Sequence, residues 1–197
     1  MPKLFYQGHG SCRFETDGGA IIYLDPYVGK GYGLPADLVL VTHDHSDHNR
    51  LSLVTRKKDC VVITHKEALE DGKYNSFAVG DVRVDSVPAY NKNHSRTCCV
   101  GYLLSFDGLK IYAAGDTSET EEMSTLLPGL HLDYALLPID GVYNMDARGA
   151  EICAEKIGAK HVIPIHMKPG ALFDLKTAES FRAKNRLIVA AGEEIEL

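Results

Sequence analysis

Four residues within a run of six, His43-x-His45-x-Asp47-His48, hold the densest chemistry in the chain. Neutral imidazoles and carboxylates are donors for divalent transition metals, and no cysteine enters the set. Composition alone would yield this spacing in about one chain in a thousand, so a solvated polar loop is a poor account of it. The run follows Leu38-Val39-Leu40-Val41-Thr42, a continuous apolar stretch with the pattern of a strand buried on both faces. In extended chain, residues 43 and 45 point the same way and can share one ion. Asp47 and His48 lie past the bend and can face a second.

Further His and Asp residues close other apolar segments. Gly115-Asp116-Thr117 ends the stretch Leu109 to Ala113, and Pro164-Ile165-His166 ends the one at Val162. His94-Ser95 sits in a loop after Val87-Pro88-Ala89-Tyr90-Asn91. Taken singly, Asp116 reads as a turn or cap residue and His166 as a satisfied core histidine. Repetition of the same placement at several strand ends points instead to one shared site. His9, between two glycines, reads as a turn residue or as a proton donor or anion contact lining that site. Asp25-Pro26 terminates a strand and can also hold a liganding imidazole from behind, as can Thr117. Lys92, Arg96 and Lys168 flank the candidate ligands and would suit an anionic substrate, or are merely solvated. Tyr90 and Tyr143 line the cleft or pack. His65, His131 and His161 read as structural or exposed.

Strands dominate the first half. Leu4-Phe5-Tyr6 and Cys12 to Thr16 lead through Asp17-Gly18-Gly19, a hairpin signal, into Ala20 to Leu24. A short helix is predicted around Asn49 to Lys57, then a buried strand at Val61 to Thr64. Two hairpins follow, one across Gly80-Asp81 and one across Asp107-Gly108. The last third alternates: strand 134–137, helix near Asp146 to Ile157, strand 161–164, helix near Lys176 to Lys184, and a final strand from Leu187. The middle helix repeats Ala150, Cys153, Ala154 and Ile157 on one face, with Asp146 as N-cap and Gly158 beyond its end. Strands first, then strand and helix alternating, predict an α+β fold: two sheets face to face with helices outside, a four-layer αββα sandwich.

The 197 residues are 45% hydrophobic and 24% charged, enough for one buried core, so a single domain over 1–197 is the expectation. A net charge of −6 argues against a dedicated nucleic-acid binder. No apolar run reaches the ~18 residues of a membrane helix, and the first residues lack a signal-peptide core, so a cytoplasmic location is expected. The cysteines are five in number and irregularly spaced, which argues against a disulfide framework.

On its motifs the chain resembles the metallo-β-lactamase superfamily. These are His43-x-His45-x-Asp47-His48, then His94, Asp116 and His166, in the family's order. It is similar to the small single-domain metal-dependent hydrolases that include ascorbate-6-phosphate lactonases. That narrower likeness rests on Gly8-His9-Gly10-Ser11, Leu24-Asp25-Pro26, Ala36-Asp37, Ala89-Tyr90-Asn91, Tyr112 to Thr117, Leu136 to Ile139 and Val162 to His166. The resemblance implies the αββα fold and two divalent metal ions, Zn²⁺ first, with Mn²⁺ or Fe as alternatives. His43, His45 and His94 would hold one ion, Asp47, His48 and His166 the other, and Asp116 would bridge them. Two departures stand out. The short interval from Asn91 to His94 leaves open whether His94 or Asn91 completes the first site. Gly10 replaces the alanine or serine usual after His9 in the first motif.

The expected function is metal-dependent hydrolysis, with a metal-bound hydroxide attacking a small, anionic ester, lactone or phosphoester. Asp47 and His9 are the candidate catalytic residues, Asp47 orienting the water. The alternatives are a phosphodiesterase or nuclease acting on nucleic acid and a non-catalytic metal-binding module; a diiron redox enzyme would need a flavin domain that this length does not accommodate. A small-molecule partner is expected; a membrane is not, and nucleic acid is disfavoured.

Overall fold

The computed structural model describes residues 1–197. Strands β1 (Lys3–Gly8), β2 (Ser11–Glu15) and β3 (Ile21–Leu24) pair antiparallel, and β4 (Ala36–Leu40) and β5 (Arg56–Ile63) extend the sheet in parallel. A capped turn, α1 (His65–Ala68), and a small hairpin, β6 (Leu69–Glu70) and β7 (Lys73–Tyr74), lead to the second sheet. There β8 (Ser76–Val79), β9 (Val82–Pro88), β10 (Val100–Phe106) and β11 (Leu109–Ala113) pair antiparallel. After α2 (Glu122–Thr125), β12 (Tyr134–Pro138) joins that sheet in parallel. Helix α3 (Ala147–Ile157) crosses over to β13 (His161–Ile165), which is again parallel. The chain closes with α4 (Leu175–Ser180) and β14 (Glu194–Glu196), which pairs with β1. The sheet orders are β14-β1-β2-β3-β4-β5 and β13-β12-β11-β10-β9-β8.

Local chemistry explains the joints. Asp107 and Gly108 both take positive φ between Phe106 and Leu109, the two-residue turn that matches strand twist. Helix α3 starts where Asp146 accepts the Gly149 N–H and stops where Gly158 takes φ 68°.

The sheets pack face to face through one apolar core that includes Leu4, Tyr6, Phe14, Leu38 and Leu40 from one and Val84, Tyr102, Leu104 and Ile111 from the other. Phe14 and Phe106 meet edge-on, 6.1 Å between centroids. On the outside of the second sheet, α3 buries Ala150, Cys153, Ala154 and Ile157. Outside the first, the cover is thin: a 3-10 turn at Leu51–Leu53 and the loop through Tyr32, closing over Tyr23, Val39 and Val54. The α+β sandwich is thus as expected, with one helical layer reduced.

That reduction corrects the helix expected at 49–57. No side chain caps the turn at Arg50, and β-branched Val54 and Thr55 lead into β5. Nor is β5 buried on both faces; it is a sheet edge, and Val61 is 37% exposed. Helix α4 ends early because Phe181 leaves it in extended conformation and is fully buried. The last strand forms at Glu194–Glu196 rather than from Leu187, beyond the turn at Gly192. No helix is long and apolar enough to cross a membrane.

Candidate metal centre

The candidate residues meet at one edge of the sandwich, where the parallel strands end. Asp25 follows β3, Thr42 to His48 follow β4, Asp116 follows β11, and His166 follows β13. His9 comes from the β1–β2 turn and His94 from the β9–β10 loop. His9, Asp25 and His166 all hold positive φ, 58°, 45° and 45°, strain that the surrounding network must sustain.

Three overlapping groups form. One places donor atoms of His43, His45 and His94 within reach of a single ion, a second does so for His9, Asp47, His48 and His166, and a third, of His43, His48 and Asp116, joins them. Asp116 lies between the first two. Its oxygens are 3.4 Å from His48 Nε2, 3.4 Å from His94 Nε2 and 3.5 Å from His166 Nε2. His43 Nε2 and His45 Nδ1 are 3.0 Å apart.

Behind the rings the pattern is uniform. His48 Nδ1 faces Asp25 Oδ2 at 2.9 Å, and His166 Nδ1 faces Asp140 Oδ2 at 3.0 Å. His94 Nδ1 faces Asn91 Oδ1 at 3.0 Å, and His9 Nδ1 faces the Ala171 carbonyl at 3.2 Å. His43 Nδ1 meets Thr42 Oγ1 at 3.0 Å, and that hydroxyl donates onward to Asp25 Oδ2 at 2.7 Å. His43, His48 and His94 thereby set Nδ1 against an outward oxygen and turn Nε2 inward, His166 lies with Nδ1 toward Asp140, and His9 instead turns its Nε2 onto Asp47 Oδ2 at 3.1 Å. Nε2 of His48 and both ring nitrogens of His166 are buried with no hydrogen-bond partner. Lone pairs and carboxylates converge with no Lys or Arg among them, an arrangement that only a cation can satisfy. Nitrogen and oxygen donors without thiolate suit zinc, manganese or iron.

The electrostatics agree. Burial, reinforced by the neighbouring imidazoles, drives His43 down to about 2, so it stands neutral as a ligand must. Burial lowers His94 as well. Burial opposes charge on His48, but Asp116 and Asp25 outweigh it and raise the ring to about 9. A proton therefore occupies His48 where a metal ion would otherwise sit. Burial works against ionisation of Asp47, yet His9 and His48 hold its carboxyl well below the usual range.

His94 joins His43 and His45, while Asn91 stands behind His94 rather than in the cluster. The glycine at position 10 has a reason: a Cβ there would lie 2.8 Å from His48 Cε1. Thr117 does not hold an imidazole; its hydroxyl pins the backbone of Tyr90. A cleft of about 510 Å³ opens over the cluster, lined by Tyr27, His45, Ser46, Asp47, Asn93, His94, Asp116 and Tyr143. Lys92, Arg96 and Lys168 are not part of that lining. Arg96 pairs with Glu122 at 2.9 Å and lies over the Tyr90 ring, and Lys168 faces Asp174. His161 is exposed against Tyr134, and His131 is an exposed left-handed turn residue. Asp140 and Thr42 escaped the sequence reading. Asp140 carries the same signal as Asp116, an acidic residue directly after an apolar run, here 134–139.

Residues 3–166 match the family described as the Beta-lactamase superfamily domain. A metal-dependent hydrolase of Bacillus velezensis is 29% identical over 99% of this chain and 99% of its own. Another, from Methanoregula boonei, is 34% identical over 83% of this chain and 81% of its own. Among solved structures, the metallo hydrolase Igni18 of Ignicoccus hospitalis superposes with a TM-score of 0.77. That match covers 98% of this chain and 97% of Igni18 at 24% identity, a likeness of fold.

Proposed function

The chain belongs to the metallo-β-lactamase superfamily and is a metal-dependent hydrolase, and from that premise we propose that it cleaves a small ester, lactone or phosphoester in the cleft above Asp116. His43, His45 and His94 would hold one divalent ion, Asp47, His48 and His166 the other, with Asp116 between. The observation that carries this reading is the set of inward-turned Nε2 atoms of His43, His48, His94 and His166, each ring with an oxygen close behind its Nδ1. Divalent ions held there supply Lewis acidity, bringing the pKa of water toward ~7 and stabilising charge that develops on a substrate oxygen.

The protein's own groups do the rest. Asp47, ionised and 35% exposed, faces the cleft and can accept a hydrogen bond from the attacking water, orienting it. His9 lies 3.1 Å from Asp47 Oδ2 and fixes that carboxylate. It is buried and absent from the cleft lining, so it acts through Asp47 rather than on substrate. Tyr27 and Tyr143 offer apolar surface, and Ser46 and Asn93 offer hydrogen bonds for positioning. With no Lys or Arg in that lining, an anionic substrate would meet the bound ions. A nucleic-acid backbone, which needs an extended run of cationic contacts, is disfavoured.

The test is a hydrolysis screen of metal-loaded protein on sugar lactones, carboxylic esters and model phosphodiesters. One class should be turned over, with activity lost on chelation and restored by Zn²⁺, Mn²⁺ or Fe²⁺. Full activity in protein stripped of metal overturns the reading.

A further inference from the structure

Asp140 ends the run that contains β12, and its side chain is fully buried. Its Oδ1 accepts the backbone N–H of Val142 at 2.7 Å, of Tyr143 at 2.6 Å and of Asn144 at 3.3 Å. Its Oδ2 accepts the Asn144 side-chain amide at 2.8 Å and faces His166 Nδ1 at 3.0 Å. Asn144 Oδ1 in turn accepts Asn91 Nδ2 at 3.1 Å, and Asn91 Oδ1 accepts His94 Nδ1 at 3.0 Å. Asn91 and Asn93 both donate to the Tyr143 carbonyl, at 3.0 and 2.8 Å. A continuous hydrogen-bonded path thus runs Asp140–Asn144–Asn91–His94 around the outside of the centre, with His166 Nδ1 against its Asp140 end.

The path has a direction. A carboxylate only accepts, so Asn144 must turn its NH₂ toward Asp140 and its oxygen toward Asn91. Asn91 must then present its NH₂ to Asn144 and its oxygen to His94. His94 must carry its proton on Nδ1, which leaves the Nε2 lone pair facing Asp116. His48 has its carboxylate directly behind it in Asp25, whereas His94 has none and receives the same instruction through two amides.

We propose that Asp140, Asn144 and Asn91 are positioning residues that form one polar strap, setting the orientation and tautomer of His94 and His166 together and fixing the Tyr143 wall of the cleft. The proposal rests on the metal-centre reading above and goes beyond it by coupling the two ion-holding groups through residues that touch neither ion nor substrate.

Asn144→Ala is the informative variant, because Asn144 contacts neither imidazole. Metal retention against a chelator, with zinc as the probe, should weaken about 10- to 100-fold, the usual range for groups behind metal ligands. Imidazole ¹⁵N shifts of the metal-free variant should show His94 losing its single Nδ1–H form, while the His48 shifts stay as in the wild type. Unchanged zinc retention together with an unchanged His94 tautomer overturns the strap. Should the variant fail to fold, wild-type hydrogen exchange decides. Amides of Val142, Tyr143 and Asn144 should exchange more slowly in zinc-loaded than in chelated protein, and equal rates overturn the proposal. Wild-type protein that takes up no zinc fails differently, removing the metal-centre reading and the strap with it.

Discussion

The two sheets share one plan: each runs three antiparallel pairings and then two parallel ones, β14 to β5 in the first and β8 to β13 in the second. They equip the same edge of the sandwich differently. In the first half, a single loop after β4 supplies His43, His45, Asp47 and His48, with Asp25 behind them. In the second, each strand end supplies one group: Asp116 after β11, Asp140 after β12, His166 after β13. The first half grips with a local cluster; the second closes the cage with isolated residues placed by sheet register. Removing a member of the cluster should damage one group, whereas removing Asp116, which faces His48, His94 and His166, should damage both.

The largest expected effect follows. Asp116→Ala should lose metal from both groups and lower activity by more than the roughly 100-fold typical of residues behind the ligands. His45→Ala, touching only the first group, should lower metal content and activity together while the second group keeps its ion. Metal analysis beside kinetics separates the two, and equal losses would mean that the halves are not organised this way.

A smaller effect concerns protons. His48 sits near 9 without metal and is protonated at pH 7, so metal binding should expel its proton there. His43, driven to about 2, has none to give. Affinity at the His48 group should therefore fall as pH drops below about 9, by up to tenfold per unit. Calorimetry in buffers of different ionisation enthalpy reads the proton directly, and zero release contradicts the raised value.

The smallest effect is on the metal-free fold. The contribution of His48 is full below its unfolded value of ~6.5 and is lost as pH rises through about 9. His43 acts oppositely, costing stability as pH falls from ~6.5 toward about 2. Urea melts of chelated protein should accordingly show greatest stability near pH ~6.5, and a maximum at pH 9 would break the assignment.

The same contrast explains what could be read from residues alone. His43 to His48 are legible because their spacing is local. Helix α3, with its Asp146 cap and its apolar face, is legible for the same reason. Asp116 and His166 needed the rule that chemistry gathers at strand ends, and Asp140 obeys that rule unnoticed because it follows Ile139 without a motif of its own. Asn91 was read as a rival to His94, because sequence does not tell an amide beside an ion from one behind its ligand. The helix expected at 49–57 shrinks to the turn at Leu51–Leu53, which no side chain caps and which runs straight into β-branched Val54 and Thr55.

Anomalous diffraction from zinc-loaded crystals tests the central claim most directly. The account predicts scattering peaks beside the Asp116 carboxylate, one toward His43, His45 and His94 and one toward Asp47, His48 and His166. Zinc bound elsewhere, with the space beside Asp116 free of anomalous signal, would contradict it.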